Sequence, residues 1–436
     1  MKRLLDYINN NVLLKIASLN SVSVLIRVIA GFLTSKAIAV FVGAEGLALI
    51  GNLRNFVTTV QSLSTLGLYN GAVKYISEFR NSVNELKRSI STVFYLGLLA
   101  TIITSIVCYF KADYINNLIF TNQYNYTYII KILAISLPFY SLNIFCLSIL
   151  NGFSKYKMLI YINSISQVLS VAITLLLIYN NKIDGALVAV VISESLILIV
   201  TLTFVFHKRH LSLPVRSKYI SLNYLKKMSS YSVMTLFSAI ALPMVYIMIR
   251  SYIIDNLGYK EAGFWEAITR ISKYYLMFIS TLLGLYILPR FSEIDNTQDF
   301  RKEVFGFYKT IMPIFGLGLI LIFLFKSHIV TIIFTKEFKP VEALFLWQLL
   351  GDFIKVFSLV IAYQFLAKKM FWHYILTETF SVTILYIISI YFIDKFGVKG
   401  ATIAHFFTSL INFGLVLFIF RNFLFGKLAQ VNQNND

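Results

Sequence analysis

The sequence predicts an all-α integral membrane protein, with twelve transmembrane helices in two pseudo-symmetric six-helix lobes. Three observations predict it. The 436 residues are 58% hydrophobic and only 14% charged, against nearer 25% charged in soluble domains. Twelve apolar segments recur, each close to the roughly 20 residues that cross a bilayer as a helix. A stretch of the first half also matches one in the second half.

The twelve segments run over 18–42, 47–73, 89–110, 128–151, 157–179, 185–206, 225–254, 263–288, 304–325, 341–366, 372–393 and 398–420. The start, Met1-Lys-Arg-Leu-Leu-Asp-Tyr7, is basic but leads to no small-residue cleavage site, so a retained first helix is expected. Gly43-Ala-Glu-Gly46 separates segments one and two, and Asn180 to Gly185 separates five and six. Pro289 closes segment eight, and Pro340 stands at the favoured first position of segment ten. Pro138, Pro243 and Pro313 lie inside segments, where proline kinks a helix. Between segments nine and ten, Ile329, Ile332, Ile333 and Phe334, flanked by Lys336 and Lys339, suggest a short interfacial helix.

Orientation follows from the connections. Placing the N-terminus in the cytoplasm puts 22 Lys and Arg on the inner side and 8 on the outer. The excess of basic residues faces the cytoplasm, so both termini are expected there, in a bacterial inner membrane. The net charge of +19 is then mainly a topology signal, with no nucleic-acid partner; anionic membrane lipid is the secondary partner. The basic stretch from His207 divides the chain into an N-lobe (1–206), a linker (207–223), a C-lobe (224–421) and a tail (422–436). Gly46–Tyr69 aligns without gaps on Gly263–Tyr286, sharing Leu-Gly-Leu-Tyr at 66–69 and 283–286. The match puts segment two on segment eight. An offset of six keeps both halves in the same orientation, related by an axis along the membrane normal, with a binding cavity between them.

Nine basic residues lie inside or at the margin of spans: Arg27, Lys36, Arg54, Lys131, Arg250, Arg270, Lys273, Lys309 and Lys355. Each costs about 2.5–3.5 kcal/mol at the bilayer centre, so they must face a watered interior that suits an anion. Arg54, Thr58, Gln61 and Thr65 share one helix face, as do Glu266, Arg270 and Lys273, and Gln348, Asp352 and Lys355. Bland readings stand beside these. Lys131, Lys309 and Arg250 sit near helix ends, where long side chains snorkel. Glu266 with Arg270, and Asp352 with Lys355, are equally readable as internal ion pairs. Arg27 and Arg54 have no acidic neighbour within a turn and are the leading substrate contacts. Glu194, Glu266, Asp352 and Glu378 are the intramembrane carboxylates; Glu378, without a basic partner one turn away, is the candidate proton carrier. A carboxyl bonded to neighbouring helices is its alternative, and His405 reads as a satisfied polar core residue. Cys108 and Cys146 lie in apolar spans and read as buried small residues. There is no metal-spaced cluster, P-loop or nucleophile elbow, so neither metal, cofactor nor enzymatic chemistry is expected.

The stretch Phe41-Val-Gly-Ala-Glu-Gly-Leu-Ala-Leu-Ile-Gly-Asn-Leu-Arg-Asn-Phe56, continuing to Tyr69-Asn-Gly-Ala-Val-Lys-Tyr75, resembles the first two helices of Wzx-type lipid-linked oligosaccharide flippases. These are the O-antigen and enterobacterial common antigen (lipid III) translocases. Pro243-Met-Val-Tyr-Ile-Met-Ile-Arg250 and Leu346-Trp-Gln-Leu-Leu-Gly-Asp-Phe-Ile-Lys355 extend the likeness over nearly the whole chain. The resemblance implies the multidrug/oligosaccharidyl-lipid/polysaccharide (MOP) exporter superfamily, with a MATE-like fold. Its implied cargo is undecaprenyl-diphosphate-linked oligosaccharide, flipped to the periplasmic leaflet by alternating access. The resemblance does not name the coupling ion; a proton or sodium gradient is the expected source. A polysaccharide polymerase and a chain-length regulator are its expected partners. Cationic family positions map onto Arg27, Lys36, Arg54, Arg250 and Lys355, and acidic ones onto Asp352 and Glu378. Arg270 and Lys273 depart from the pattern and join the expected cationic cavity as features of this chain. Glu266 joins Asp352 and Glu378 as a coupling or ion-pair candidate. Three rivals stay open: a cation-coupled drug antiporter of the same superfamily, a polytopic polymerase or ligase, and a passive scramblase. The first would want an acidic or aromatic cavity, and the second a large periplasmic loop.

Overall fold

The computed structural model describes residues 12–120, 123–207 and 215–426. The described chain is helical throughout, with short breaks. In the first half the helices are α1 (Val12–Phe41), α2 (Gly43–Thr65), α3 (Tyr69–Glu78), α4 (Val83–Phe110), α5 (Ala112–Phe120), α6 (Thr127–Gly152) and α7 (Tyr156–His207). There follow α8 (Leu222–Leu257), α9 (Tyr259–Leu282), α10 (Leu288–Glu293), α11 (Thr297–Leu324), α12 (Lys326–Ile333), α13 (Phe345–Ala367), α14 (Phe371–Phe396) and α15 (Lys399–Phe425).

Among the described residues, ten helical stretches are long and apolar enough to cross a bilayer. One of them, in α7, is two spans: Lys182 leaves the helical region (φ 46°, ψ −117°) and the chain doubles back. With α2, whose polar stripe dilutes its hydropathy, the expected twelve are present. The outward residues suit lipid. On α4, Leu98, Leu99, Ile102, Ile103, Ile106 and Val107 are all exposed, a patch that water would not tolerate on a monomer.

Glycine sets the reversal in α7. A Cβ on Gly185 would lie 1.9 Å from the Leu177 carbonyl oxygen, so only a bare Cα lets the two arms meet. Gly400 does the same six spans later, 2.0 Å from the Phe392 oxygen. The repeated Leu-Gly-Leu-Tyr motif also interrupts the helix in both halves, in two ways. At 66–67 the backbone turns left-handed (φ 51° at Leu66, 60° at Gly67), which ends α2 and starts α3. At 283–287 it forms one π-helical turn leading into α10. Pro289 therefore sits in the first turn of α10 and does not close the span. It lacks an N–H, and the widened turn absorbs the missing bond. Likewise Pro340 falls in a 3-10 segment, Lys336–Leu344, and α13 begins only at Phe345. Pro138, Pro243 and Pro313 lie inside continuous helices. The short helix expected between segments nine and ten is α12.

By contacts, the chain forms two compact units. The first runs to Glu266 and takes in Ile332–Glu337; the second holds Ala267–Thr331 and the chain from Phe338. This division falls later than the 207–223 linker because α8 packs along α2 within the first unit. Residues 208–214 of that linker lie outside the described residues, as do Met1–Asn11 and the tail from residue 427. The first unit has a core of Leu68, Ala72, Ile76, Ile90 and Ile149, joining α3, α4 and α6. The core of the second runs from Ile279 through Phe291, Phe300, Val360 and Phe365 to Phe420. Both cysteines are free and buried.

Candidate functional site: a cation pair and two buried networks

The charges of Arg27 on α1 and Arg54 on α2 both bear on one carboxylate, Glu194, on the second arm of α7. Gln61, two turns beyond Arg54, lies beside the same carboxylate. Tyr140 on α6 senses the same charge. Arg27, Arg54 and Glu194 are all exposed. Along the polar stripe of α2, Arg54 and Thr58 are exposed, Gln61 is buried, and Thr65 bonds back to the Gln61 carbonyl at 3.0 Å. Local spacing could not supply the acidic neighbour, which comes from 140 positions along the chain. Its signal was the carboxylate itself, because a charge in an apolar arm must find a cation.

Arg250, expected in the cationic cavity, is only 1% exposed. Its guanidinium donates to Glu266 Oε2 at 2.5 Å and to Asn52 Oδ1 at 2.8 Å, and lies 5.2 Å over the Trp265 ring. Asn52 in turn donates to the Ile119 carbonyl at 2.9 Å. The network ties α2, α5, α8 and α9 together. Gly51 makes room for it, since a Cβ there would stand 2.6 Å from Glu266 Oε2. Glu266 thus reaches across to α8, 16 residues away, and not merely along its own helix.

In the second unit Asp352 is the hub. It is 1% exposed and accepts from Ser272, from the Tyr275 hydroxyl at 2.5 Å and from Gln348 at 3.2 Å. His405 Nε2 stands 2.9 Å from its other oxygen, and Lys355, half-buried, adds its charge. The imidazole packs on Gly351, where a Cβ would meet it at 2.6 Å. The polar-core reading of His405 and the Asp352–Lys355 association both agree with this geometry. Arg270 is buried on α9 and Lys273, three residues on, is exposed. Glu378 lies half-buried on α14. Lys36 donates to the Phe334 carbonyl just past the C-terminus of α12, where a cation complements the helix dipole. Lys131 and Lys309 are exposed, as snorkelling residues would be. Among the described residues, no group of three His, Cys, Asp or Glu is placed to hold a metal ion.

A family model described as "Polysaccharide biosynthesis protein" matches residues 13–295. The chain belongs to this polysaccharide biosynthesis protein family. Its curated relatives include the lipid III flippases of Escherichia coli (strain K12) and Shigella flexneri. Each is 26% identical over 411 residues, covering 91% of this chain and 95% of the relative. Two solved structures share the fold of this family member. One is an inward-facing multidrug-resistance MATE transporter of the MOP superfamily (TM-score 0.72, 13% identity, 92% and 98% of the two chains). The other is the lipid II flippase MurJ in an inward closed conformation (TM-score 0.72, 15% identity, 93% and 87%). The family member is therefore a multi-pass membrane protein with the MOP fold of twelve helices in two six-helix lobes.

Proposed function

We propose that this protein is a transporter that flips undecaprenyl-diphosphate-linked oligosaccharide, of the lipid III or O-antigen type, from the cytoplasmic to the periplasmic leaflet of a bacterial inner membrane. The observation that carries the reading is that Arg27 and Arg54, two cations within apolar spans, are both exposed. The full-length likeness to lipid III flippases supports it. Guanidinium groups bond phosphate oxygens in bidentate fashion, so the pair suits a diphosphate, while the polyprenyl tail stays in lipid. The two lobes give alternating access. Both termini are cytoplasmic, a proton or sodium gradient drives the cycle, and a polysaccharide polymerase with its chain-length regulator takes up the product.

Reconstituted vesicles loaded with undecaprenyl-diphosphate-linked trisaccharide test this. Arg54→Ala or Arg27→Ala should slow flipping roughly 10- to 100-fold, the cost of one charge-assisted contact, at unchanged protein abundance. Wild-type flipping rates in both variants would refute the site. Rates that persist after both ion gradients are collapsed would refute the coupling alone.

A further inference from the structure

A groove of about 270 Å³ opens in the first unit between α4, α6 and the α2–α3 break, and the reading above gives it no task. It faces the bilayer, because Leu98 of α4 and Phe139 and Leu142 of α6, which line it, are all exposed. None of its lining residues is charged. Every hydroxyl in the lining is already engaged by protein. Thr65 bonds the Gln61 carbonyl, Tyr69 accepts from Asn151, Ser148 bonds the Phe145 carbonyl, and Thr101 bonds Ser141 at 2.8 Å. The surface on offer is hydrocarbon. Gly97 lines it too, and a Cβ there would meet nothing within 4 Å, so the space is open at the middle of α4. Thr65, at the end of α2, shares a helix face with Arg54 and Thr58. It lies about 16 Å from Arg54 along the helix axis. Thr58 and Thr65 both turn their hydroxyls back onto their own helix, so at these positions the stripe offers methyl groups.

We propose that this groove seats a stretch of the substrate's polyprenyl tail while Arg54 holds the diphosphate, so that one exposed face of α2 leads from the headgroup contact to the tail contact. This rests on the flippase reading and deepens it by giving the tail a site. A lipid-facing groove gains nothing from the hydrophobic effect, since lipid is as apolar as its wall. Packing decides instead. Left unfilled, the wall atoms lack dispersion partners, so a hydrocarbon chain fills the space. Acyl chains of the bilayer are abundant but free. The polyprenyl chain is tethered to a headgroup held about 16 Å away, which gives it a high effective concentration at the groove. A lipid without the diphosphate has no such tether, so the groove favours the loaded substrate.

Photolabelling of the purified full chain in vesicles tests this without any variant. The probe is undecaprenyl-diphosphate-linked trisaccharide with a diazirine in the first few isoprene units. Adducts should map to residues 93–101 of α4 and 138–148 of α6. A phosphatidylethanolamine with a diazirine in its acyl chain, at the same mole fraction, should give few adducts there. Gly97→Leu fills the open space with a good helix former. It should lower both the substrate adducts and the flipping rate about tenfold, as losing some ten atom contacts would. Adducts that map elsewhere, or that are as abundant in the Gly97→Leu protein, overturn the proposal. So does an equal yield from the phosphatidylethanolamine probe, because the groove then takes any acyl chain. Geranyl diphosphate, too short to reach from Arg54 to the groove, separates the two readings by calorimetry. Gly97→Leu should bind it as wild type does; weaker binding overturns the tail site, because the groove would then act on the headgroup. If Arg54→Ala leaves its binding intact, the cation site itself is wrong, whereas the adduct map alone decides the groove.

Discussion

At the scale of the residue, the buried charges of this chain divide by access, and access predicts opposite phenotypes. Arg250 and Glu266 are closed off and hold helices together. Removing one partner strands the other charge, a loss of about 3–5 kcal/mol. Arg250→Met should therefore lower the melting temperature sharply, and Arg250→Met with Glu266→Leu should recover most of it. Thermal unfolding in detergent reads both, and a single variant as stable as wild type would contradict the clamp. Arg54→Ala should do the reverse, leaving the melt near wild type while flipping falls. Gly51→Ala belongs with the clamp, since its new methyl would stand 2.6 Å from Glu266 Oε2. It should destabilise by about 1–3 kcal/mol, as overpacking does.

At the scale of the element, one motif has two outcomes. Leu-Gly-Leu-Tyr ends a helix at 66–69 with two left-handed residues, but at 283–286 it widens a helix that continues. The physical difference is crowding and backbone sign. Gly67 has φ 60°, and a Cβ there would meet the Ser232 carbonyl at 2.9 Å, whereas nothing lies within 4 Å of one on Gly284. Gly67→Ala should therefore cost more than about 1 kcal/mol. Gly284→Ala should be neutral or slightly stabilising, as glycine within a helix is unfavourable by about 1 kcal/mol. Chemical-denaturation or melting curves of the two variants decide it, and equal losses would mean that the halves are stabilised alike. The hairpin glycines make the complementary case. Gly185→Ala and Gly400→Ala each drive a methyl into a carbonyl 1.9–2.0 Å away, so both should fold poorly, which expression yield would show.

At the scale of the whole molecule, topology is the testable claim. A single cysteine placed near Ser217 should react with an impermeant maleimide only from the cytoplasmic side. One at Lys182 or Lys260 should react only from the periplasmic side. Cys108 and Cys146 are buried, so background labelling should be low. Labelling of both probes from one side would invalidate the twelve-span arrangement.

Much of this protein was legible in its residues. Twelve spans and the polar stripe of α2 follow from hydropathy and helical periodicity, which are local quantities, and the relation of the two halves follows from a shared stretch of sequence. Arg27 and Arg54 stand out in the sequence too, because a charge in an apolar run is costly wherever the chain goes. What only the tertiary structure decided is which charge meets which. Glu194 feels the charge of Arg54 from 140 residues away, Arg250 forms one half of a closed clamp with Glu266, and Asp352 gathers donors from α9, α13 and α15. Helical spacing fixes the face a side chain occupies, but partners on other helices depend on packing. Packing here turns on close approaches at Gly51, Gly185, Gly351 and Gly400, where the missing methyl, invisible to any periodicity, lets the helices meet.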